Sequence, residues 1–412
     1  DEGRDMPDID RLLEVDQFAR LPQPVQKLAE ILFHHGYSNR LIFGANLLGD
    51  MGSGNTPESV RGPLPKRDSF GYFGTMSNYP EQRESDFVIK DFRFGSGETL
   101  PELRQHFTTF GIPERDAAGR IANAVLLIHN TTGTGKSWLE PTLGGELFGP
   151  GQPLDATKHF IVIPDIIGFG QSSKPSDGLR ARFPHYRLRD VVLAQHKLLT
   201  EHLGIAHLKL IMGISLGGML TWMFGEMFPD FMDALVPIAS QPGPMSGRNW
   251  IQRKINLEAI RNDPEWNNGD YEKQPTWWVR VAPLSGLMTQ SVVRIQDMAP
   301  TREKGDALYQ QLVERAKKGD ANNRLYQIES TIDYDPSADL EKIKARLFAI
   351  NFADDAINPP ELGVLEAGVA RVPGARCVTI PTGPQTYGHY TTMRAAVWRP
   401  HLAEFLAGLP KR

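Results

Sequence analysis

A serine within the pattern G-x-S-x-G is the residue of this sequence best suited to covalent chemistry. The stretch "GISLGG", residues 213–218, follows the apolar run "LKLIM" and precedes the helix-like "MLTWMFGEMFP". A serine between a strand and a helix, with glycines two positions before and after it, is typical of a nucleophile elbow. We therefore predict that Ser215 is a catalytic nucleophile. We also predict that the amide of Leu216, at the start of the helix, donates to an oxyanion.

A serine nucleophile needs a base and an acid that orients the base, and behind an elbow both come later in the chain. After Ser215 the sequence contains two histidines, His389 and His401. We predict that His389 is the general base, because it lies in the loop "TGPQTYGHYTT" behind an apolar strand, whereas His401 lies in a helix-like segment. The acid is expected after the strand "RLFAINF", where both Asp354 and Asp355 stand. We favour Asp355 and keep Asp354 as the alternative.

The loop behind the apolar run "AVLLI" has two interpretations. Its residues "NTTGTGKS" nearly match the phosphate-binding pattern G-x-x-x-x-G-K-[ST], but Asn130 stands where the first glycine is needed. In that interpretation Asp165, at the end of "HFIVIPD", would bind magnesium. The other interpretation makes the loop the second half of an oxyanion hole, with the amide of Thr131, or alternatively Thr132, as donor. The imperfect match and the serine motif favour the oxyanion hole.

The elements that must position these residues are short apolar runs that alternate with helix-like segments. The runs are "AVLLIHN", "HFIVIPD", "LKLIMGIS", "DALVPIAS", "ARLFAINFADD" and "ARCVTIPT". Continuous apolar strands that alternate with helices indicate a mostly parallel sheet with helices on both faces. Ahead of them, "DFVIKDFRF" and "ETLPELRQHFTTFG" have the pattern of a β-hairpin.

The rhythm of the sequence divides the chain into four parts. We expect an N-terminal extension, partly loop, in residues 1–85, with one helix-like stretch, "PVQKLAEILFHHG". The α/β core is expected in residues 86–242 and 343–412. Residues 243–342 contain no convincing strand and predict a helical lid insertion over the serine. The candidates for the wall of an apolar substrate pocket are Trp138, Met245, Trp250, Trp277 and Trp278.

The composition is that of an ordinary globular chain, with 40% hydrophobic and 23% charged residues and a net charge of −4. This balance argues against a nucleic-acid-binding surface, and no run of about 18 apolar residues predicts a membrane span. A single cysteine, Cys377, excludes an intramolecular disulfide and a cysteine-based metal cluster. We expect a soluble protein without cofactor or metal. The compartment stays undetermined, and export is one option if Asp1 is a processed N-terminus.

With these residues in place, the sequence resembles the α/β-hydrolase superfamily and, within it, the homoserine O-acetyltransferase-like branch. The resemblance runs from about residue 86 to 405 and rests on "GELFGPGQPLDATKHFIVIPD", "RLRDVVLAQHKLLTEHLGI", "GISLGGML" and "AIRNDPEWNNGDY". It implies an α/β-hydrolase fold and a homodimer joined through the lids. It also implies the same assignment of the site: Ser215 as nucleophile, Asp355 as acid, His389 as base, and Thr131 and Leu216 as oxyanion donors.

Two reactions of a small-molecule acyl substrate are compatible with this site. The first is hydrolysis of an ester or related acyl bond through an acyl-enzyme, and the second is transfer of an acyl group from acyl-CoA to an alcohol. The acetyltransferases carry Gly-Gly-Ser-Met-Gly-Gly-Met-Gln at the elbow, where this sequence has Ile214, Leu216 and Leu220 in place of the second glycine, the first methionine and the glutamine. Because no acceptor-binding motif is evident, we favour hydrolysis and keep acyl transfer as the alternative.

Overall fold

Eight strands form one sheet in the computed structural model, which describes residues 79–410. The strands are β1 (Arg83–Arg93), β2 (Thr99–Phe110), β3 (Ala124–Ile128), β4 (Phe160–Pro164), β5 (Leu208–Ile214), β6 (Met232–Ile238), β7 (Arg346–Phe352) and β8 (Arg376–Ile380). Their order across the sheet is β1-β2-β4-β3-β5-β6-β7-β8. β1 and β2 pair as an antiparallel hairpin and β2 is antiparallel to β4, whereas all other neighbours are parallel. The predicted mostly parallel sheet is confirmed.

The described part of the chain contains eleven α-helices. They are α1 (Gly144–Leu147), α2 (Leu188–Lys197), α3 (Leu216–Met227), α4 (Gly247–Arg261), α5 (Thr276–Val281), α6 (Pro283–Thr289), α7 (Val292–Met298), α8 (Arg302–Lys317), α9 (Ala321–Glu329), α10 (Val364–Val369) and α11 (Ala395–Ala407). None of the helices within residues 79–410 is long and apolar enough to cross a membrane.

Helices α4 to α9 follow one another between β6 and β7 without an intervening strand, and we call residues 247–329 the helical segment. This segment falls inside the range 243–342 where the sequence predicts an insertion. β1 begins at Arg83, three residues before the predicted start of the core at residue 86. The predicted helix in "PVQKLAEILFHHG" and most of the predicted N-terminal extension lie outside the described residues.

The central strands are buried on both sides, which explains their continuous apolar sequences. Every residue of β3 and of β4 is buried. Successive side chains of a strand point to opposite faces of the sheet. Leu126 and Ile128 accordingly join one hydrophobic cluster, whereas Val125 and Leu127 join another. Helices cover both faces of the sheet, so the chain buries a core on each side.

The parallel strands place the predicted site residues at a single edge of the sheet. β3, β5, β7 and β8 run in the same direction, so the loops that follow them meet at their carboxyl ends. In open α/β sheets ligands bind in the crevice outside these ends. The loops after these four strands carry Thr131, Ser215, Asp355 and His389, respectively.

Candidate active site

Ser215 occupies a strained turn between β5 and α3. Its backbone has φ 56° and ψ −111°, in a region that costs a residue with a side chain on the order of 1–3 kcal/mol. Two hydrogen bonds hold this conformation: the Ser215 amide donates to the carbonyl of Ile238 at 2.8 Å, and the Met219 amide donates to the carbonyl of Ser215 at 2.9 Å. The turn is therefore held by the neighbouring strand and by the first turn of its own helix.

Three glycines let the elbow pack closely against the rest of the fold. A Cβ atom at Gly213 would lie 2.0 Å from the carbonyl oxygen of Gly217, and one at Gly217 would lie 2.1 Å from that of Ile128. A Cβ at Gly218 would lie 2.4 Å from Oγ of Ser240. No side chain fits at these distances, so the first turn of α3 rests directly on the end of β3.

A chain of hydrogen bonds joins the predicted serine, histidine and acid. Oγ of Ser215 lies 2.8 Å from Nε2 of His389, and Nδ1 of His389 lies 2.7 Å from Oδ2 of Asp355. His389 is 7% exposed and Asp355 is 2% exposed. The second oxygen of Asp355 accepts hydrogen bonds from the amides of Ile357 and Asn358 at 2.7 and 3.0 Å. The buried carboxylate is thus fully hydrogen-bonded and fixed in orientation.

The two adjacent aspartates have different partners. Oδ2 of Asp354 accepts a hydrogen bond from the amide of Gly388 at 2.9 Å, whereas the imidazole of His389 bonds to Asp355. Gly388 has φ 67°, and a Cβ there would lie 2.7 Å from the amide nitrogen of Ser291. Asp355 is therefore the hydrogen-bond partner of the His389 imidazole, and Asp354 contacts the backbone of the loop that carries His389.

The loop after β3 contains a backbone amide without an acceptor in the described part of the chain. The amide of Thr132 donates to Oδ1 of Asn130 at 3.1 Å, whereas no acceptor within residues 79–410 takes the amide of Thr131. The amide of Leu216, the first residue of α3, likewise has no acceptor in the described part of the chain. Since a Cβ at Gly217 would lie 2.9 Å from the carbonyl oxygen of His129, this loop and the start of α3 are in contact.

Buried polar side chains hold this loop in place. Nε2 of His129 accepts a hydrogen bond from the amide of Ile166 at 3.0 Å, so Nδ1 carries the proton and donates to the carbonyl of Asn130 at 2.8 Å. Burial lowers the pKa of His129, which keeps the ring neutral. Further along the loop, the amide of Gly135 donates to Oδ1 of Asp165 at 2.6 Å. The neutral ring and the carboxylate together tie the loop to the turn after β4.

The residues on which the phosphate-loop interpretation rests are engaged in structural contacts. Asp165 accepts amide hydrogen bonds from Gly135 on one oxygen and from Gln171, at 2.7 Å, on the other. Lys136 forms an exposed ion pair with Glu84 at 3.0 Å. Within the described residues no group of three or more histidine, cysteine, aspartate or glutamate side chains is placed to hold a metal ion.

The five predicted pocket residues lie in different environments. Trp138 is completely buried in the hydrophobic core, so it has no surface with which to line a pocket, and this corrects its predicted place. Trp278 is 5% exposed, whereas Trp277 is 49% exposed. Met245 and Trp250 are half-buried and pack against the core. Because they are partly exposed and also touch the core, Met245 and Trp250 stay candidates for a pocket wall.

Some supporting contacts are not predicted from the sequence. Nδ2 of Asn358 donates to the carbonyl of Ala239, and Nδ2 of Asn351 donates to the carbonyl of Asn358, at 2.7 and 2.9 Å. These bonds tie the loop that carries Asp355 to the end of β6. Asparagine is frequent in loops of every kind, so its residue type carries no signal for this role. For Asp165 a signal exists, since an aspartate at the end of an apolar strand marks the carboxyl edge of the sheet.

The helical segment touches the loop of His389. The amide of Ser291, which caps α7, donates to the carbonyl of Tyr387 at 3.1 Å. The guanidinium of Arg294 lies 4.8 Å from the centre of the Tyr387 ring, and that of Arg394 lies 4.4 Å from it. A displacement of α7 would therefore act on the backbone two residues before the imidazole.

Comparisons of sequence place this chain within a known family. The family model described as alpha/beta hydrolase fold matches residues 123–383, more than half of the chain. Homoserine O-acetyltransferase from Haemophilus influenzae is 31% identical over 283 residues, which cover 62% of this chain and 76% of that protein. The homoserine O-acetyltransferase from Geotalea daltonii is 34% identical over 214 residues, or 48% of this chain. The chain spans 57% of that relative's length, and 61% of the Methanohalobium evestigatum relative with the same name.

Solved structures share the same fold. The acetylester hydrolase from Corynebacterium glutamicum matches with a TM-score of 0.69 at 23% identity, over 79% of this chain and 96% of that one. Homoserine O-acetyltransferase from Bacillus anthracis matches with a TM-score of 0.70 at 19% identity, over 80% of this chain and 99% of that one. At these identities the likeness establishes the fold alone. From the family match and the curated relatives together, the chain is an enzyme of the α/β-hydrolase superfamily and belongs to its homoserine O-acetyltransferase-like branch.

Proposed function

We propose that this enzyme is an O-acyltransferase that works through a covalent acyl intermediate on Ser215. The observation that carries the proposal is the hydrogen-bonded chain from Ser215 through His389 to Asp355, with separations of 2.8 and 2.7 Å. The acyl donor in this proposal is a thioester such as acetyl-CoA, and the acceptor is a small alcohol. Curated relatives with 31% and 34% identity, both named homoserine O-acetyltransferase, support transfer over the hydrolysis that the sequence alone favours.

In the first half-reaction Ser215 takes the acyl group from the donor. Nε2 of His389 accepts the proton of the hydroxyl while Oγ bonds to the carbonyl carbon. Asp355 holds Nδ1–H and stabilises the imidazolium that forms. The amides of Thr131 and Leu216 are the proposed donors to the oxyanion, each worth roughly 3–4 kcal/mol at the transition state. When the carbon–sulfur bond breaks, the leaving thiolate takes the proton from His389.

In the second half-reaction the acceptor alcohol occupies the place of the departed thiol. His389 removes the proton of the alcohol as its oxygen attacks the acyl carbon, and the bond to Oγ breaks. Ser215 recovers the proton and the ester product leaves. Water in the same place would give hydrolysis, so the outcome depends on whether an alcohol is held and water is excluded. The low exposure of His389, 7%, supports a site with restricted access for water.

Hydrolysis of a short acyl ester is the second candidate. It is supported by the elbow, where Leu216 and Leu220 stand in place of the methionine and glutamine expected from the acetyltransferases. These leucines are 2% and 0% exposed. They offer no polar group to an acceptor. The chemistry at Ser215 is the same up to the acyl-enzyme, so the two candidates differ in the identity of the second nucleophile.

The deciding experiment follows the release of free CoA from acetyl-CoA with and without a panel of small alcohols, homoserine included. Acyl transfer predicts that one alcohol accelerates release at least tenfold and appears as its acetyl ester in the products. If p-nitrophenyl acetate is hydrolysed and no alcohol changes the rate, the enzyme is a hydrolase.

A pair of variants tests the serine itself. We expect Ser215→Ala to lower either activity by about 10³-fold or more. Ser96→Ala is the control, because Ser96 is an exposed residue in the turn between β1 and β2. Equal rates for wild type and Ser215→Ala would show that this serine is not the nucleophile.

We also propose that the helical segment is a contact surface between two copies of the chain. Within the described residues it exposes large apolar side chains that a lone protein would leave in water. They are Ile251 (59%), Trp277 (49%), Leu287 (50%), Val292 (86%) and Val293 (67%). Light scattering after size exclusion should give the mass of a dimer, and Val292→Lys combined with Val293→Lys should give that of a monomer. A monomeric wild type would contradict the proposal.

A further inference from the structure

Two arginine side chains lie inside the helical segment without a carboxylate partner among residues 79–410. Arg253 of α4 is 6% exposed, and its one hydrogen bond there runs from Nε to Oδ1 of Asn249 at 3.1 Å. Its Nη1 is buried and has no acceptor. Arg324 of α9 is half-buried, and its side chain forms no hydrogen bond or ion pair with any residue of the described chain. Nη1 of Arg253 is therefore a buried N–H donor group without an acceptor, and Arg324 contributes a second guanidinium that no carboxylate within residues 79–410 pairs.

The two charges oppose each other. Burial and the neighbouring charge of Arg324 lower the pKa of Arg253 to about 9, and burial lowers the pKa of Arg324 to about 10. Both groups still carry their charge at neutral pH. Buried charges in proteins are normally paired, because an uncompensated one costs much folding free energy. Glu329, on the same helix as Arg324, is already paired with Arg261.

The helix that carries Arg324 contacts the turn after β4, and this turn is hydrogen-bonded to the loop proposed to hold the oxyanion. Nε2 of Gln327, one turn after Arg324, donates to the carbonyl of Gly168 at 2.8 Å. Gly168 lies in the turn after β4, where the amide of Ile166 donates to His129. Arg324 is therefore anchored, through its own helix, to the neighbours of Thr131.

The helix that carries Arg253 is connected to the loop of His389. Oε1 of Gln252 accepts a hydrogen bond from Oγ of Ser285 in α6 at 2.9 Å. The residues just after α6 pack against Gly388, where a Cβ would lie 2.9 Å from the carbonyl carbon of Gln290. The helix of Arg253 is thus linked to the loop of His389 through α6, and the helix of Arg324 is linked to the loop after β3 through the turn after β4.

From these contacts we propose that Arg253 and Arg324 together bind an oxyanion, a carboxylate or phosphate carried by the donor or the acceptor that reacts at Ser215. The inference rests on the proposed function for its link to Ser215. Planar guanidinium groups bind carboxylate and phosphate oxygens through paired N–H donors. Such an anion would satisfy the buried Nη1 and neutralise the repulsion between the two arginines. Its source is either the phosphates of a CoA thioester or the carboxylate of the acceptor.

The first test measures binding without catalysis. Three proteins are compared: Ser215→Ala, which is the parent, and the two double variants that combine it with Arg324→Gln or with Arg248→Gln. The melting temperature of each is measured in inorganic phosphate and in chloride at equal ionic strength. Arg248 is the matched control, because it lies on α4 but is exposed. We expect phosphate to raise the melting temperature of the Ser215→Ala parent and of the Arg248→Gln protein, and to have little effect after Arg324→Gln.

The chloride samples of the same experiment also test the repulsion between the charges of Arg253 and Arg324. In chloride, Arg324→Gln is expected to melt at a higher temperature than its parent, since removal of one charge relieves the pair. A lower melting temperature would mean that Arg324 has a stabilising partner and would overturn the proposal. So would equal phosphate shifts in all three proteins, or no shift in the parent. Arg324→Gln carries the test because Arg253 is more deeply buried and its variants risk misfolding.

The second test identifies the source of the anion. Two donors are compared, acetyl-CoA and acetyl-pantetheine, which lacks the phosphates of CoA, and the released thiol is measured for each. Two acceptors are compared in the same way, one with a free carboxylate and the other its methyl ester. We expect Arg324→Gln to raise KM about tenfold for one charged partner and not for its neutral analogue. KM changes that do not depend on the charge of either partner would overturn the assignment. If wild type transfers no acyl group, the proposed function fails while the phosphate experiment still decides the arginine site.

Discussion

Oδ2 of Asp355 lies 2.7 Å from Nδ1 of His389, and this contact distinguishes two carboxylates that are adjacent in the sequence. Asp354 instead accepts the amide of Gly388, the residue before the histidine, at 2.9 Å. One carboxylate contacts the ring and the other contacts the backbone that carries the ring. The loop of His389 is therefore held from both sides by a single turn after β7.

The first prediction separates these two aspartates. Asp355→Asn is expected to lower kcat about 10³- to 10⁴-fold, because an amide does not stabilise the imidazolium and favours the wrong ring tautomer. Asp354→Asn is expected to cost at most about tenfold, since an amide oxygen still accepts from Gly388. Steady-state kinetics with acetyl-CoA or p-nitrophenyl acetate measures both. A larger loss in Asp354→Asn would reverse the assignment.

The second prediction concerns the glycine that brings α3 against β3. Gly217→Ala places a methyl group 2.1 Å from the carbonyl oxygen of Ile128, which forces the helix away from the strand. We expect a loss of about 1–3 kcal/mol in the free energy of unfolding and a large loss of activity. Gly305→Ala in α8 is the control, because no atom lies within 4 Å of its added methyl group. Urea unfolding followed by circular dichroism gives both values, and equal stabilities would contradict the packing argument.

The third prediction tests the support of the oxyanion loop. Both oxygens of Asp165 accept backbone amides, from Gly135 and Gln171, whereas an asparagine side chain in its place would turn its NH₂ group toward one of these donors. Asp165→Asn should therefore lower the free energy of unfolding by about 1–3 kcal/mol. It should also lower kcat more than it changes KM, because the amide of Thr131 moves. Asp306→Asn, at an exposed position of α8, serves as the control in the same assays.

The fourth prediction uses the half-buried Glu226 near the end of α3. Burial, followed by the charge of Asp339, raises its pKa to about 7 from an ordinary value of 4.5. The folded state thus binds the proton more tightly than the unfolded state, so the contribution of Glu226 to stability is present below pH 4.5 and is lost as pH rises through about 7. We expect Glu226→Gln to be more stable than wild type at about pH 8, by on the order of 2 kcal/mol.

The measurement for Glu226 is urea unfolding of both proteins at about pH 5 and about pH 8. The difference between them should shrink at the lower pH, where the wild-type carboxyl is protonated. Glu201→Gln is the control, because Glu201 is exposed and pairs with Lys197 at 2.6 Å. A Glu226→Gln protein that is no more stable than wild type at the higher pH would show that this carboxylate is not penalised in the fold.

The fold and the centre of the candidate site were both predictable, because each rests on a pattern that residue types record. Continuous apolar runs mark strands buried on both faces, as in β3 and β4. The alternation of these runs with helix-like segments predicts that the strands are parallel. The glycines around Ser215 mark positions where no side chain fits. His389 follows by its place after the last strand. These features depend on burial and sterics, which constrain the choice of amino acid directly.

The remaining features depend on orientation, which residue type does not record. Trp138 is an aromatic residue close in sequence to the oxyanion loop, which suggests a pocket wall, but the turn at Gly135–Leu139 directs its side chain into the core. Asp354 and Asp355 are chemically identical, and the turn to Asn358 decides which of them faces the ring. Arg253 lies in a helix whose charged residues suggest an exposed face, and its burial results from packing against the other helices. Tertiary contacts decide all three.

The hydrogen bonds that hold Ser215 in its strained turn have a consequence for the newly made protein. Both partners, Ile238 and Met219, are translated about 100 residues before β7 begins. At ~5–20 residues per second, a ribosome takes about 5–20 s to cover that distance. The nascent chain therefore contains both residues that hydrogen-bond to the backbone of Ser215 before Asp355 and His389 are translated. The hydrogen-bonded chain through His389 is completed only after His389 itself has emerged, more than 170 residues after Ser215.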